Sequence, residues 1–139
     1  MMKQNKDVLA WVVMVTSLAL HVVDEALNDF LSFYNLLVEN MRESLGFFPM
    51  PTFEFKYWIG GLICVVAIGY LAIPVVGRGA RGIKIVMVVA GVLMVLNSLG
   101  HMAASIYIGR VVPGTLSSPL LLVASLYVVV RGLKCRRLS

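Results

Sequence analysis

Charge is scarce in this chain. Asp, Glu, Lys and Arg make up 14% of its 139 residues, against about 25% in an ordinary soluble domain. With 60% hydrophobic residues and a mean hydropathy of +0.91, the composition points to an integral membrane protein of one domain. Cysteine is nearly missing. Cys64 sits in an apolar run and Cys135 in a basic tail, so a disulfide between them is not expected and two isolated thiols make no metal motif. The chain also lacks a phosphate-binding glycine loop, a His-Glu-x-x-His pair, a serine nucleophile elbow and a haem motif. Internal repeats and low-complexity stretches are absent as well. The net charge of +5 does not imply nucleic acid, because the basic residues do not interleave with aromatics on one face. They flank apolar runs, as membrane anchors do.

The apolar runs predict an all-α, four-transmembrane-helix bundle over residues 1–139, with helices near 8–37, 57–76, 83–108 and 115–133. The first begins with 16 uncharged residues, 8–23, and no small-x-small cleavage site follows, so it reads as a retained helix and not a signal peptide. A span needs roughly 20 apolar residues. The charged pair Asp24-Glu25 therefore falls within the span or at its edge, with an amphipathic extension beyond it. Residues 39–55, with Gly46, Pro49 and Pro51, read as an ordered interfacial loop. Tyr57 and Trp58 anchor the second helix, and Gly60, Gly61, Cys64 and Gly69 would let a neighbour approach closely. Ser117 and Ser118 before Pro119 are the expected caps of the fourth.

Nine basic residues, Lys3, Lys6, Arg78, Arg81, Lys84, Arg131, Lys134, Arg136 and Arg137, fall on one side of such a topology. Arg42, Lys56 and Arg110 fall on the other. The positive-inside rule then puts both termini in the cytoplasm of a multi-pass protein in the plasma or inner membrane.

Ionisable residues inside a bilayer are costly and commonly mark a site. Two groups qualify: His21, Asp24 and Glu25 on the first helix, and Asn97 and His101 on the third, with Ser98 and Ser105 nearby. Residues three and four apart share a helix face. At a 1.5 Å rise, His21 lies roughly 20 Å beyond Val8, and Asn97 and His101 roughly 21 and 27 Å beyond Ile83. Both helices run outward, so the two stripes reach one depth in the outer half of the membrane and can face each other. Asp29, Glu39 and Glu43 read as solvated interface charges, and Met14, Met87, Met94 and Met102 as lipid or core contacts.

Two imidazoles and one or two carboxylates are a usual ligand set for zinc or non-haem iron. On this reading His21, His101 and Glu25 are metal ligands, Asp24 is a fourth ligand or a base, and Asn97 orients a ligand or polarises substrate. The protein would be a hydrolase or isomerase of a small lipophilic substrate entering from membrane lipid. Two alternatives stand beside it. One is metal-free acid–base catalysis on a terpenoid- or sterol-like molecule, with Asp24 and Glu25 as acids and His101 as partner. The other is a non-enzymatic transporter or lipid-binding protein, which would need a homo-oligomer to form a pore.

His21-Val22-Val23-Asp24-Glu25, Asn97-Ser98-Leu99-Gly100-His101 and the Pro113-Gly114 turn before Pro119, in that order, resemble the HXXEE-motif family of small membrane proteins. Asp24 stands where that motif has its first Glu. The resemblance covers the first, third and fourth helices. It implies a four-helix membrane fold, function at His21, Asp24, Glu25, Asn97 and His101, and metal binding or enzymatic activity suspected from those residue types.

Overall fold

The computed structural model describes residues 2–134. Within them the chain is all-α, and no strand is present. The six helices are α1 (Met2–Leu27), α2 (Phe30–Leu45), α3 (Phe55–Leu71), α4 (Ile73–Arg78), α5 (Arg81–Ile108) and α6 (Ser118–Lys134). Cys135, Arg136 and Arg137 lie outside the described residues.

The expected first helix, 8–37, is two helices. Asp29 takes the left-handed conformation (φ 56°, ψ 44°), which Asn and Asp tolerate better than other side chains. The helix then resumes in a new direction and runs to Leu45, so much of the expected interfacial loop is helical. Gly46, also left-handed at φ 71°, ends it. The second expected helix, 57–76, is interrupted at Ala72. Pro74 has no N–H to give to the Tyr70 carbonyl, and the chain restarts as α4 with Val76 N–H donating to Ala72 O at 2.9 Å.

Helix α1 is the hub and packs against α3, α4 and α6, while α5 lies along α6. The core where they meet includes Trp11, Met14, Val15, Val76, Met87 and Val128. Small residues set the α5–α6 spacing: a Cβ on Gly91 would stand 3.1 Å from the Ser125 carbonyl, and one on Gly132 would stand 3.2 Å from the Lys84 carbonyl. Gly69 of α3 meets Val15, and its carbonyl accepts the Trp11 indole N–H at 2.8 Å. Gly60 and Gly61 face open space.

The outside of the bundle is apolar. No residue of α3 is buried; Ile63, Ile68 and Leu71 are 58%, 64% and 76% exposed, and Leu96 of α5 and Val123 of α6 are 61% and 68% exposed. A belt of this kind would be unfavourable in water and is natural against lipid. Among the described residues three helical stretches, Asn5–Leu27, Phe55–Arg78 (α3 continued by α4) and Arg81–Ile108, are long and apolar enough to cross a membrane. Polar groups are correspondingly well matched: among the described residues no buried side-chain N or O lacks a hydrogen-bond partner, as a nonaqueous surrounding requires.

One buried ionic group ties the end of the bundle near the N-terminus. Asp7 of α1, 2% exposed, pairs with Lys84 of α5 through Oδ2 and with Arg131 of α6 through Oδ1 at 2.8 Å. Lys84 is itself 5% exposed. Lys84 and Arg131, flanking anchors by sequence position, are thus internal cross-links to Asp7, which stands just before the apolar run.

Candidate metal centre

At the other end of α1, about 27 Å further along by its 18-residue offset from Asp7, Glu25 meets two imidazoles. Its Oε1 lies 3.5 Å from His21 Nε2, one helical turn back, and 3.0 Å from His101 Nε2 on α5. The three side chains are buried, and each offers one ligand atom within 4.8 Å of the others. The two rings stand edge to face with centroids 4.8 Å apart, and Phe30, just past the Asp29 break, covers His101 at 5.1 Å.

Hydrogen bonds on the far sides of the rings decide what faces the centre. His101 Nδ1 lies 2.8 Å from the Pro113 carbonyl oxygen. A carbonyl only accepts, so Nδ1 carries the proton, and in the neutral ring Nε2 presents a bare lone pair to Glu25. His21 Nδ1 lies 2.8 Å from Ser117 Oγ, and Ser117 Oγ–H donates to Asp24 Oδ2 at 2.6 Å. The hydroxyl has one proton and the carboxylate takes it, so His21 Nδ1 donates to Ser117 and Nε2 is again the bare nitrogen. An Asn97 amide N–H reaches that nitrogen at 3.0 Å. Two imidazole lone pairs and a carboxylate oxygen therefore converge with no built-in proton between Glu25 and His101. Such a set needs a cation: a proton or a metal ion.

Fit to a metal can be judged from these distances. Ligand atoms about 2.0–2.1 Å from tetrahedral zinc lie about 3.3 Å apart; the two separations from Glu25, 3.0 and 3.5 Å, bracket that value, while the set as a whole spreads to within 4.8 Å, so the two imidazoles would draw together around an ion. Both histidines have the outer hydrogen bond that metal-bound imidazoles almost always have. For His101 the acceptor is a backbone carbonyl; for His21 it is a carboxylate acting through a serine hydroxyl.

Of the residues named from sequence, His21, Glu25 and His101 form the cluster. Asp24, read as a fourth ligand or a base, is turned away from it: Oδ2 accepts the Ser117 backbone N–H at 3.0 Å as well as its hydroxyl, and Oδ1 accepts from Asn28 at 2.8 Å. Adjacent residues on a helix point about 100° apart, and that is why the neighbouring acids part. Asn97 touches His21 and stands at the edge of the centre. Ser105 bonds Thr115 at 2.6 Å and the Val112 N–H at 2.9 Å, which fastens the turn between α5 and α6.

That turn carries two residues whose part in the site was not visible in the sequence. Ser117, a helix cap by its sequence position, instead uses its hydroxyl to couple Asp24 to His21. The only hint was a hydroxyl next to the turn. Gly114 was read as part of a Pro-Gly turn, and its φ of 84° suits that. Its lack of a side chain matters equally, because a Cβ there would stand 2.7 Å from His101 Cε1 and 3.1 Å from Glu25 Cγ.

Cavities lie around the centre: one of about 210 Å³ touches His101 and Asn97, and two others lie on different sides of the His21–Glu25 turn of α1. One of about 280 Å³ opens beside His21, Glu25 and Asn97 and is walled by Phe30, Phe53 and Trp58. The other, about 430 Å³, lies outside Asp24 and is more polar, lined among others by Asn28, Asp29, Ser32 and Arg110.

No curated protein and no solved structure matches the chain. A family model does, over residues 11–129, and it is described as "Protein of unknown function with HXXEE motif". The match takes in α1 from Trp11, all of α2 to α5 and most of α6, so the cluster, its serine bridge and the covering turn all lie inside it. The second acid of the motif, Glu25, is the one that meets both imidazoles, while Asp24 occupies the position turned toward Ser117. The chain belongs to the family of proteins of unknown function with an HXXEE motif.

Proposed function

We propose that this protein is a multi-pass membrane enzyme, a hydrolase or isomerase of a small lipophilic substrate, with a zinc or iron ion held by His21, His101 and Glu25. The observation that carries this reading is the convergence of two Nε2 lone pairs on Glu25 Oε1, with each ring's Nδ1–H already committed elsewhere. A divalent cation in this position supplies Lewis acidity toward a substrate oxygen. The chain supplies the rest. Ser117 and Asp24 hold His21 in one tautomer, Pro113 holds His101, Phe30 keeps water from its ring, and the aromatic cavity receives the apolar part of the substrate beside Asn97.

The proposed membrane topology draws on the same elements. α6 has 17 residues, at the short end of what spans a bilayer, and packs closely along the full-length span α5. Counting it as the fourth span puts Arg78 and Arg81 on the side of both termini, in line with the positive-inside rule. Residues 46–54 and 109–117 then lie on the external face, near the centre. A cysteine introduced at Gly46 should react with an impermeant maleimide from outside intact cells, whereas one at Gly79 should not; the reverse pattern would overturn this orientation.

The metal reading is tested by elemental analysis of protein purified without chelator. About one equivalent of zinc or iron per chain is expected, and Ser117→Ala should lower the affinity roughly 10- to 100-fold, the usual effect of removing a group that orients a ligand. Protein free of both metals, and unable to take them up, would refute it.

The 3.0 Å separation of Glu25 and His101 also favours a second reading, in which a proton is shared by the pair and acid–base chemistry proceeds without metal. Undiminished turnover after exhaustive chelation would select this reading over the first.

A further inference from the structure

The cavity beside the centre is specific about what it can hold, and this inference rests on the enzyme reading above. Its aromatic walls come from three separate elements. Phe30 and Tyr34 belong to α2, Phe53 to the following loop and Trp58 to α3. They are held in place. Tyr34 O–H donates to the Pro51 carbonyl at 3.0 Å. Asn35 grips Phe53 through two bonds, giving an N–H to its carbonyl at 2.9 Å and accepting its N–H at 3.1 Å. The Tyr34 and Phe53 rings stack with centroids 6.1 Å apart, and Phe30 lies 6.0 Å from Trp58. The wall is therefore a fixed aromatic surface rather than a loose apolar gap.

Polar capacity inside the cavity is nearly used up. The Tyr34 hydroxyl proton goes to Pro51, both nitrogens of His21 are engaged, and Glu25 Oε1 faces the imidazoles. Asn97 spends one amide N–H on His21. Its second N–H and its Oδ1 remain for a ligand. Neither Lys nor Arg lines the cavity, so a carboxylate or phosphate would be desolvated beside Glu25 with nothing to neutralise it. The volume of about 280 Å³ lies just under the range of drug-sized sites, about 300–1,000 Å³.

We infer that the substrate, on the isomerase form of that reading, is a small uncharged ring compound of one or two rings carrying a single carbonyl or hydroxyl oxygen, the ring lying against Phe53 and Trp58 and the oxygen directed to Asn97. An aromatic pocket beside a carboxylate is also a setting for organic cations. Here, however, Glu25 Oε1 is turned to the two histidines, so a ligand cation would have to share the carboxylate with them through Oε2 alone.

A matched series of naphthalene probes tests this on detergent-purified protein, with equilibrium dialysis against protein-free detergent as the readout. The probes are 2-acetylnaphthalene, naphthalene, 2-naphthoate and 2-naphthyltrimethylammonium. The ketone should bind about tenfold more tightly than naphthalene, as one satisfied hydrogen bond allows, and about a hundredfold more tightly than the carboxylate. It should also outbind the ammonium probe. Asn97→Leu should erase the advantage over naphthalene, and Phe53→Ala should weaken all four probes. Equal binding of the carboxylate or ammonium probe, or a ketone preference that survives Asn97→Leu, would overturn the inference. Because the wild-type series alone carries the charge comparison, a poorly folded variant does not rescue it. Running the series on metal-stripped and zinc-loaded protein separates the two claims. A ketone preference in protein that never takes up zinc or iron sinks only the metal reading; loaded protein without the preference sinks only the substrate class.

Discussion

His101→Ala protein should retain less than about one hundredth of the wild-type affinity for zinc or iron, and Glu25→Gln should fall nearly as far. Each removes one of three converging donors, and three protein ligands is the minimum that a catalytic zinc site keeps. Glutamine preserves the volume and one oxygen of Glu25 but not its charge, so a large loss in that variant shows that the site needs an anion as well as a shape. Asn97→Ala provides the contrast. In the structure the Asn97 amide N–H competes for the same His21 lone pair that a cation would use, so its removal should leave metal affinity unchanged or raise it. Competition titrations with a zinc-sensitive dye check all three. A set in which His101→Ala and Glu25→Gln bind metal like the wild type would mean that these atoms do not form a cation site. Metal bound only when Asn97 is present would make the amide a ligand instead of a competitor.

Asp7→Asn should destabilise the bundle by about 3–5 kcal/mol, the cost of leaving buried charge without its counter-ion. The residue lies far from the Glu25 centre, so the loss belongs to packing. Asp7 is 2% exposed and Lys84 5%, and one carboxylate joins α1 to both α5 and α6 through Lys84 and Arg131. Asparagine keeps the shape and one acceptor oxygen but leaves Lys84 charged in an apolar setting. Adding Lys84→Met should recover much of the loss, since an apolar side chain of similar length needs no partner there. Thermal unfolding in detergent, followed by circular dichroism, reads both variants. A single variant that melts with the wild type, or a double variant no better than the single, would show the cross-link to be energetically idle.

Residue pattern and tertiary contact divide the description of this protein unevenly. Scarce charge and long apolar runs were enough to specify an all-α chain with helices fit for a membrane, because in lipid every backbone group must be satisfied within its own segment. Helical spacing and equal depth also marked His21, Asp24, Glu25, Asn97 and His101 as polar residues that lipid would not tolerate separately, without choosing among them. The breaks were less legible. The helix expected over 57–76 runs straight through Pro74, where the missing N–H breaks it, and the turn at Asp29 interrupts a hydrophobic pattern that continues unbroken on either side, so periodicity cannot report a change of direction.

What only the fold decided is which acid faces the histidines. Asp24 and Glu25 are equivalent by composition and adjacent in sequence. The choice between them depends on where α6 begins, because Ser117 at its start takes Asp24 and turns it from candidate ligand into a support for His21. The same holds for Gly114, whose missing side chain makes room for His101, and for Asp7, whose partners lie 77 and 124 residues away. Helical periodicity is a local property and is written in local sequence. The tautomer of a histidine, the partner of a carboxylate and the space above a ring are set by atoms brought close only by packing, and no window along the chain contains them.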